Sequence, residues 1–414
     1  MNLITVIILA AIVVNLAITV YGDHLNLKAL RPAPPQEFAA LYDARRYRRA
    51  QEYLRANTVF GWFSGAFDLM VLLAFWFGGG FVALDGWVRS PARGELFTGM
   101  LFIGALLGFK LFLGIPFSLY ATFVIEEKFG FNRMTVPTFF ADLAKKFILT
   151  VLLGGPLLAG ILFFFQAAGT DAWWISWLVV TGFMLLLQYV APTWILPLFN
   201  RYTPLEEGEL RDAIFQYARS IRFPLENVFL MDGSRRSSKS NAFFTGFGRH
   251  RRIVLFDTLV EQLSSAELVG VLAHEMGHYT KKHIFKMMFL GVIQMGVLFF
   301  LLSLFISSEM LSEAFFMPQP RLYAGIVFFM ILYAPIDLVV SLLVQAVSRR
   351  HEFEADRFAA ETTGQSSAMA DALRKLSASN LSNLTPHPLY VFLHYSHPPV
   401  LERVRALALT GSRT

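Results

Sequence analysis

The chain alternates long apolar runs with polar stretches. Residues 3–20 hold 18 positions without a charge, and further apolar runs cover 62–88, 96–125, 147–168, 172–199, 285–306 and 322–347. Each is long enough as a helix to cross about 30 Å of hydrocarbon, so seven membrane spans are expected. The first run lacks a basic leader, since only Met1 and Asn2 precede it, and it reads as a retained helix rather than a cleaved signal. Asp68, Asp85, Lys110 and Asp337 fall inside these runs. Charge in a span usually faces a polar interior, the expectation for Lys110 and Asp337, whereas Asp85 fits an interfacial position better.

The polar remainder lies mainly at 200–282 and 348–414. In the first part, 206–221 carries apolar residues on one helical face, with Leu210, Ile214, Tyr217, Ala218 and Ile221 in register. Segments 227–231 and 252–256 are rich in branched and aromatic residues and read as strands, and 237–246 between them is a third candidate. The expected fold class is mainly α: a polytopic seven-helix membrane protein with a small α+β domain split around the last two spans. The corresponding divisions are 1–199, 200–283, 284–347 and 348–414.

Composition agrees with this pattern, at 55% hydrophobic and only 16% charged residues. Cysteine is absent, so a metal site here must use histidine and carboxylate ligands. The net charge of +6 gathers in particular loops, which argues for membrane topology and against a nucleic-acid partner. Lys28, Arg31, Arg45, Arg46, Arg48, Arg49 and Arg55 stand in the first loop, and Lys128, Arg133, Lys145 and Lys146 in the third. The opposite side has only Arg89, Arg93 and Arg321. The positive-inside rule then places the N-terminus outside and both polar parts in the cytoplasm.

One stretch carries chemistry. In His274-Glu275-Met276-Gly277-His278 a helix would put both imidazoles on one face, able to share an ion, with Glu275 beside them as a general base. This is the zinc-peptidase signature, and such a site needs a third protein ligand from elsewhere. Candidates follow the seventh span, where Glu352 and Asp356 share a helical face and His351 and Glu354 are rivals by chemistry.

Taken with His394-Tyr395-Ser396-His397-Pro398-Pro399 and Arg403, these motifs resemble the signatures of the M48 zinc peptidases, and more narrowly the Ste24 type of CAAX prenyl endopeptidase. The likeness extends to Glu126-Glu127-Lys128-Phe129-Gly130-Phe131-Asn132, Pro197-Leu198-Phe199-Asn200 and Ser240-Asn241-Ala242-Phe243. It implies one Zn²⁺ per chain on His274, His278 and Glu352, with Asp356 behind a ligating histidine and Glu275 as catalytic base. His397 would steady the oxyanion, Asn241 would contact substrate, and Arg403 would orient His397 or meet a substrate carboxylate. It also implies an intramembrane chamber and a peptide or protein substrate, prenylated in the eukaryotic members. A monomer in the lipid bilayer is expected. The chain's compactness and lack of an organelle-retention tail favour a bacterial inner membrane. The rival readings are a membrane quality-control protease of HtpX type and a non-proteolytic zinc-containing scaffold.

Overall fold

All seven apolar runs are helical in the computed structural model, which describes residues 2–90, 94–245 and 252–411. Arg93 and Gly246 lie outside the described residues. The membrane part comprises α1 (Leu3–Lys28), α2 (Ala44–Phe77), α3 (Gly80–Arg89), α4 (Glu95–Tyr120), α5 (Val136–Leu149), α6 (Gly155–Ala167) and α7 (Ala172–Val190). Through π-turns, α4 extends to Glu126, α5 joins α6, and α7 extends to Leu198. Then follow β1 (Tyr202–Pro204), α8 (Glu209–Ser220), β2 (Asn227–Met231), β3 (Ala242–Thr245), β4 (Arg252–Phe256), α9 (Asp257–Val260) and α10 (Ser265–Thr280). The last spans are α11 (His283–Phe305) and α13 (Leu322–Thr363), separated by α12 (Glu309–Ala314). The chain ends in α14 (Ser366–Ser379), α15 (Pro388–His394) and α16 (Val400–Gly411).

Neighbour contacts close the spans into a ring. Helix α1 touches α2 and α13, α2 reaches the end of α4, and the circuit continues α4, α6, α7, α11, α13. A core of Trp76, Phe81, Phe102, Phe315, Tyr323 and Phe328 plugs one end, with Phe315 and Phe328 stacked at 4.0 Å. The polar domain covers the other end. Helix α13 joins the two, and at 1.5 Å per residue Phe328 and Glu352 are about 36 Å apart along it, slightly more than the hydrocarbon thickness. None of the most apolar window of α2 is buried. Residues 59–75 of α2 are exposed or half-buried, and the ring bounds an intramembrane chamber.

Two boundaries differ from expectation. The run at 62–88 is two helices, broken at Gly78 and Gly79, where Gly79 adopts φ 72°, a conformation glycine reaches without strain. Helix α2 also starts far earlier, at Ala44, where the Asp43 side chain accepts a hydrogen bond from the Arg46 amide at 2.6 Å. Asp85 is buried, accepts from the Tyr323 hydroxyl and pairs with Arg89 at 3.2 Å. Lys110 and Asp337 are exposed, and Asp337 accepts from Gln294 on α11 at 3.2 Å.

The two polar parts share cores, which is why they form one unit despite the intervening spans. Beneath α10, Leu268, Leu272 and Met276 pack with Ile214, Ile253 and Leu255, and with Ala359 and Ala372 from the far segment. A second core joins Phe38, Tyr42 and Tyr47 to Met369, Leu384 and Val404. The sheet order is β1-β2-β4-β3, with β2 and β4 parallel and β3 antiparallel to β4. Thus the third candidate strand forms, at Ala242–Thr245, and lies on an edge. Arg236 ties this domain to α5 through a two-pronged pair with Asp142, at 2.7 and 3.0 Å.

Candidate metal centre

The site is built where α10 crosses α13. Helix α10 is fixed at its start by a capping box: Ser264 and Glu267 satisfy each other's amides, and Lys375 on α14 reaches Glu267 at 2.7 Å. The crossing is close because position 277 has no side chain. A β-carbon there would stand 3.1 Å from Phe358 and 3.3 Å from Ala355. Gly277→Val should therefore push the helices apart, costing about 1–3 kcal/mol of stability. Thermal unfolding of the detergent-solubilised variant, together with its bound metal, checks this. A variant as stable and as metal-replete as the parent would contradict the close-packing argument.

Across this crossing three ligand-type groups converge. Nε2 of His274 and Nε2 of His278 are 3.1 Å apart, and the Glu352 carboxylate lies 3.5 and 3.2 Å from them. One donor atom from each of the three falls within 4.8 Å of the others. Oε2 of Glu352 is buried and takes no hydrogen bond, although Nη1 of Arg403 stands 3.2 Å away. Two imidazole nitrogens facing each other beside a buried carboxylate make a donor set that suits a cation. Burial alone would lower the His274 pKa, but hydrogen bonds to Asp356 and Glu352 outweigh it and raise it to about 9, which again marks a place that draws positive charge.

The surroundings orient these groups. Oδ1 of Asp356 accepts from Nδ1 of His274 at 2.9 Å, leaving Nε2 for the ion. Asp356 is held in turn by Arg403, which donates through Nε at 2.8 Å and Nη2 at 2.6 Å. Arg403 is thus buried, with its guanidinium held by Asp356 and Glu352. Burial pushes the Glu275 carboxyl above its ordinary range. His397 is exposed, with Nε2 at 3.4 Å from Glu352 and Nδ1 at 2.9 Å from the Ser396 hydroxyl. Asn241 is exposed just before β3, its side chain accepting from the Ala242 amide at 2.9 Å.

The rival ligands are placed apart from this cluster. Glu354 reaches His283 at 3.1 Å, and His351 stacks on the His283 ring at 4.0 Å. His283 itself was not singled out in the sequence, although it is a third histidine only five residues beyond His278. An apolar cavity of about 430 Å³ adjoins His278, lined by Met184, Met287, Met288 and Met295 together with His283 and His351.

Comparison with known proteins gives the family. Residues 23–201 match the family profile described as CAAX prenyl protease N-terminal, five membrane helices, and residues 204–410 match Peptidase family M48. This chain belongs to the M48 peptidase family. A CAAX prenyl protease 1 homolog from Oryza sativa is 34% identical, over 95% of this chain and 94% of that protein. CAAX prenyl protease 1 from Saccharomyces cerevisiae is 35% identical over 77% of the chain and 74% of its own length. The crystal structure of Ste24p from S. mikatae superposes with a TM-score of 0.92 at 31% identity, covering 98% of this chain and 99% of that one. The M48 peptidase is thus a metalloprotease of the Ste24 type and a multi-pass integral membrane protein. It spans nearly all of the rice relative, so its compactness does not separate a bacterial member from a eukaryotic one.

Proposed function

We propose that this M48 peptidase is a zinc endopeptidase that cuts near the C-terminus of lipophilic, CAAX-type prenylated peptides. The observation that carries the chemistry is the convergence of His274, His278 and Glu352. These three would hold one Zn²⁺, which when bound supplies Lewis-acid polarisation of the scissile carbonyl and lowers the pKa of water at the site. Glu275 accepts the proton of the attacking water and passes it to the leaving amine. His397, on the exposed side, donates from Nε2 to the oxyanion as it forms. Asp356 and Arg403 fix the tautomer and position of His274 and take no part in proton transfer. The outer edge of β3, unpaired among the described residues and approached through Asn241, pairs with an extended substrate.

The lipophilic substrate class is supported by the relatives named CAAX prenyl proteases, by the membrane ring, and by the methionine-lined cavity against His278. Methionine side chains adapt to irregular apolar groups. The peptidase unit is formed by 200–283 and 348–414 around the last two spans. The Lys and Arg distribution supports a position on the cytoplasmic face of the bilayer, and a site complete within one chain is suited to act as a monomer. The purified protein should release the last three residues of a farnesylated CAAX reporter peptide at least about tenfold more efficiently than those of its unprenylated counterpart, a difference near 1.4 kcal/mol. Equal cleavage of both, together with digestion of unmodified membrane proteins, would move the reading to quality control.

A further inference from the structure

We propose that His283 and Glu354 are positioning residues for the second metal-binding histidine, acting through a hydrogen-bonded chain His278–His283–Glu354. The inference rests on the proposed role of His278 as a ligand. The two ligand histidines are supported differently. Nδ1 of His274 meets a carboxylate directly, that of Asp356, at 2.9 Å. Nδ1 of His278 instead meets another imidazole, Nδ1 of His283, at 3.1 Å. The far nitrogen of that ring, Nε2, meets Oε2 of Glu354 at 3.1 Å.

Proton positions along this chain fix one another. With Nε2 of His278 turned to the ion, its proton sits on Nδ1 and must find an acceptor. Nδ1 of His283 accepts it, which requires the proton of His283 to sit on Nε2, where Glu354 receives it. Every nitrogen then has one partner and both rings stay neutral. The carboxylate polarises His283, and His283 in turn makes His278 a better donor to the cation. His283 is 2% exposed, so its ring is shielded from bulk water, while Glu354 at the outer end of the chain is partly exposed.

The local backbone is shaped to bring this ring back. Helix α10 ends at Thr280 and α11 begins at His283, and Lys282 between them adopts φ 59°, a left-handed conformation unfavourable for a side-chain-bearing residue. That corner returns His283 onto His278 five residues earlier. His351, parallel to His283 at 4.0 Å and 10°, holds the plane of the ring from one face. Arg350 anchors Glu354 at 3.1 Å from one turn earlier on α13.

The test is Zn²⁺ affinity of the full-length detergent-solubilised protein, measured by competition with a chromophoric chelator. His283→Leu should weaken binding by about 10- to 100-fold, the range for groups that orient a ligand, and Glu354→Ala by a smaller factor. The double variant should bind no more weakly than His283→Leu alone, because the carboxylate acts only through the ring. His283→Asn, whose oxygen can still accept from Nδ1 of His278, should recover most of the affinity. Affinities of both single variants within about twofold of the parent overturn the proposal, as do additive losses or an Asn variant as weak as Leu. Should His283→Leu not fold, Glu354→Ala and His283→Asn carry the same comparison. A parent chain that binds no Zn²⁺ would take the proposed function down as well, whereas the other outcomes leave it standing.

Discussion

Glu275→Gln is expected to reduce the turnover of a farnesylated reporter by roughly 10²- to 10⁴-fold while Zn²⁺ content and unfolding temperature stay at the level of the parent chain. The amide matches the carboxylate in shape, so the packing of α10 over Leu272 and Met276 is undisturbed. What it loses is the ability to accept a proton. Burial raises the basicity of Glu275 above that of an ordinary carboxylate, which suits it to take a proton from water and return it to an amine. Because the proton moves only on the way to the transition state, the loss should appear in kcat with KM nearly unchanged. A variant keeping a tenth or more of the parent rate would exclude Glu275 as the base. Loss of the metal in this variant would instead assign the residue a structural role.

Much of this arrangement is legible along the chain because it depends on local periodicity. The spans announce themselves by length, and 227–231 and 252–256 form strands over those same residues because branched and aromatic side chains run uninterrupted there. The four-residue spacings of His274 with His278, and of Glu352 with Asp356, place each pair on one helix face. What was not legible depends on distant contacts. The arginine-rich start of α2 gives no apolar signal, yet Tyr47 and Ala50 are buried against the C-terminal segment. The three-residue strand β1, ending in Pro204, is too short to show a pattern, and it exists because it pairs with β2. Glu354 lies about 200° round the helix from Glu352, a difference spacing shows, but only the return of His283 at the Lys282 corner gives that direction a partner. Arg403 follows the same logic: its motif marks the neighbourhood, while burial between Asp356 and Glu352 decides what it can touch.

Glu352→Gln is expected to fail in the opposite way, by losing the metal. The carboxylate is 4% exposed and supplies the negative charge that two neutral imidazoles lack. It also faces Nη1 of Arg403 at 3.2 Å, so its removal leaves a buried guanidinium close to the position of the cation. Loss of the one anionic ligand should weaken Zn²⁺ binding by more than the roughly 10- to 100-fold that groups orienting a ligand are worth. Asp356 still holds Arg403 through two hydrogen bonds, so the apo protein should remain folded. Metal content after gel filtration, measured beside apo-protein unfolding, separates this from collapse of the domain. Excess Zn²⁺ should restore part of the activity of Glu352→Gln and none of that of Glu275→Gln. Stoichiometric metal retained by Glu352→Gln would show that the ion is held without this carboxylate, and the third ligand would have to be sought elsewhere.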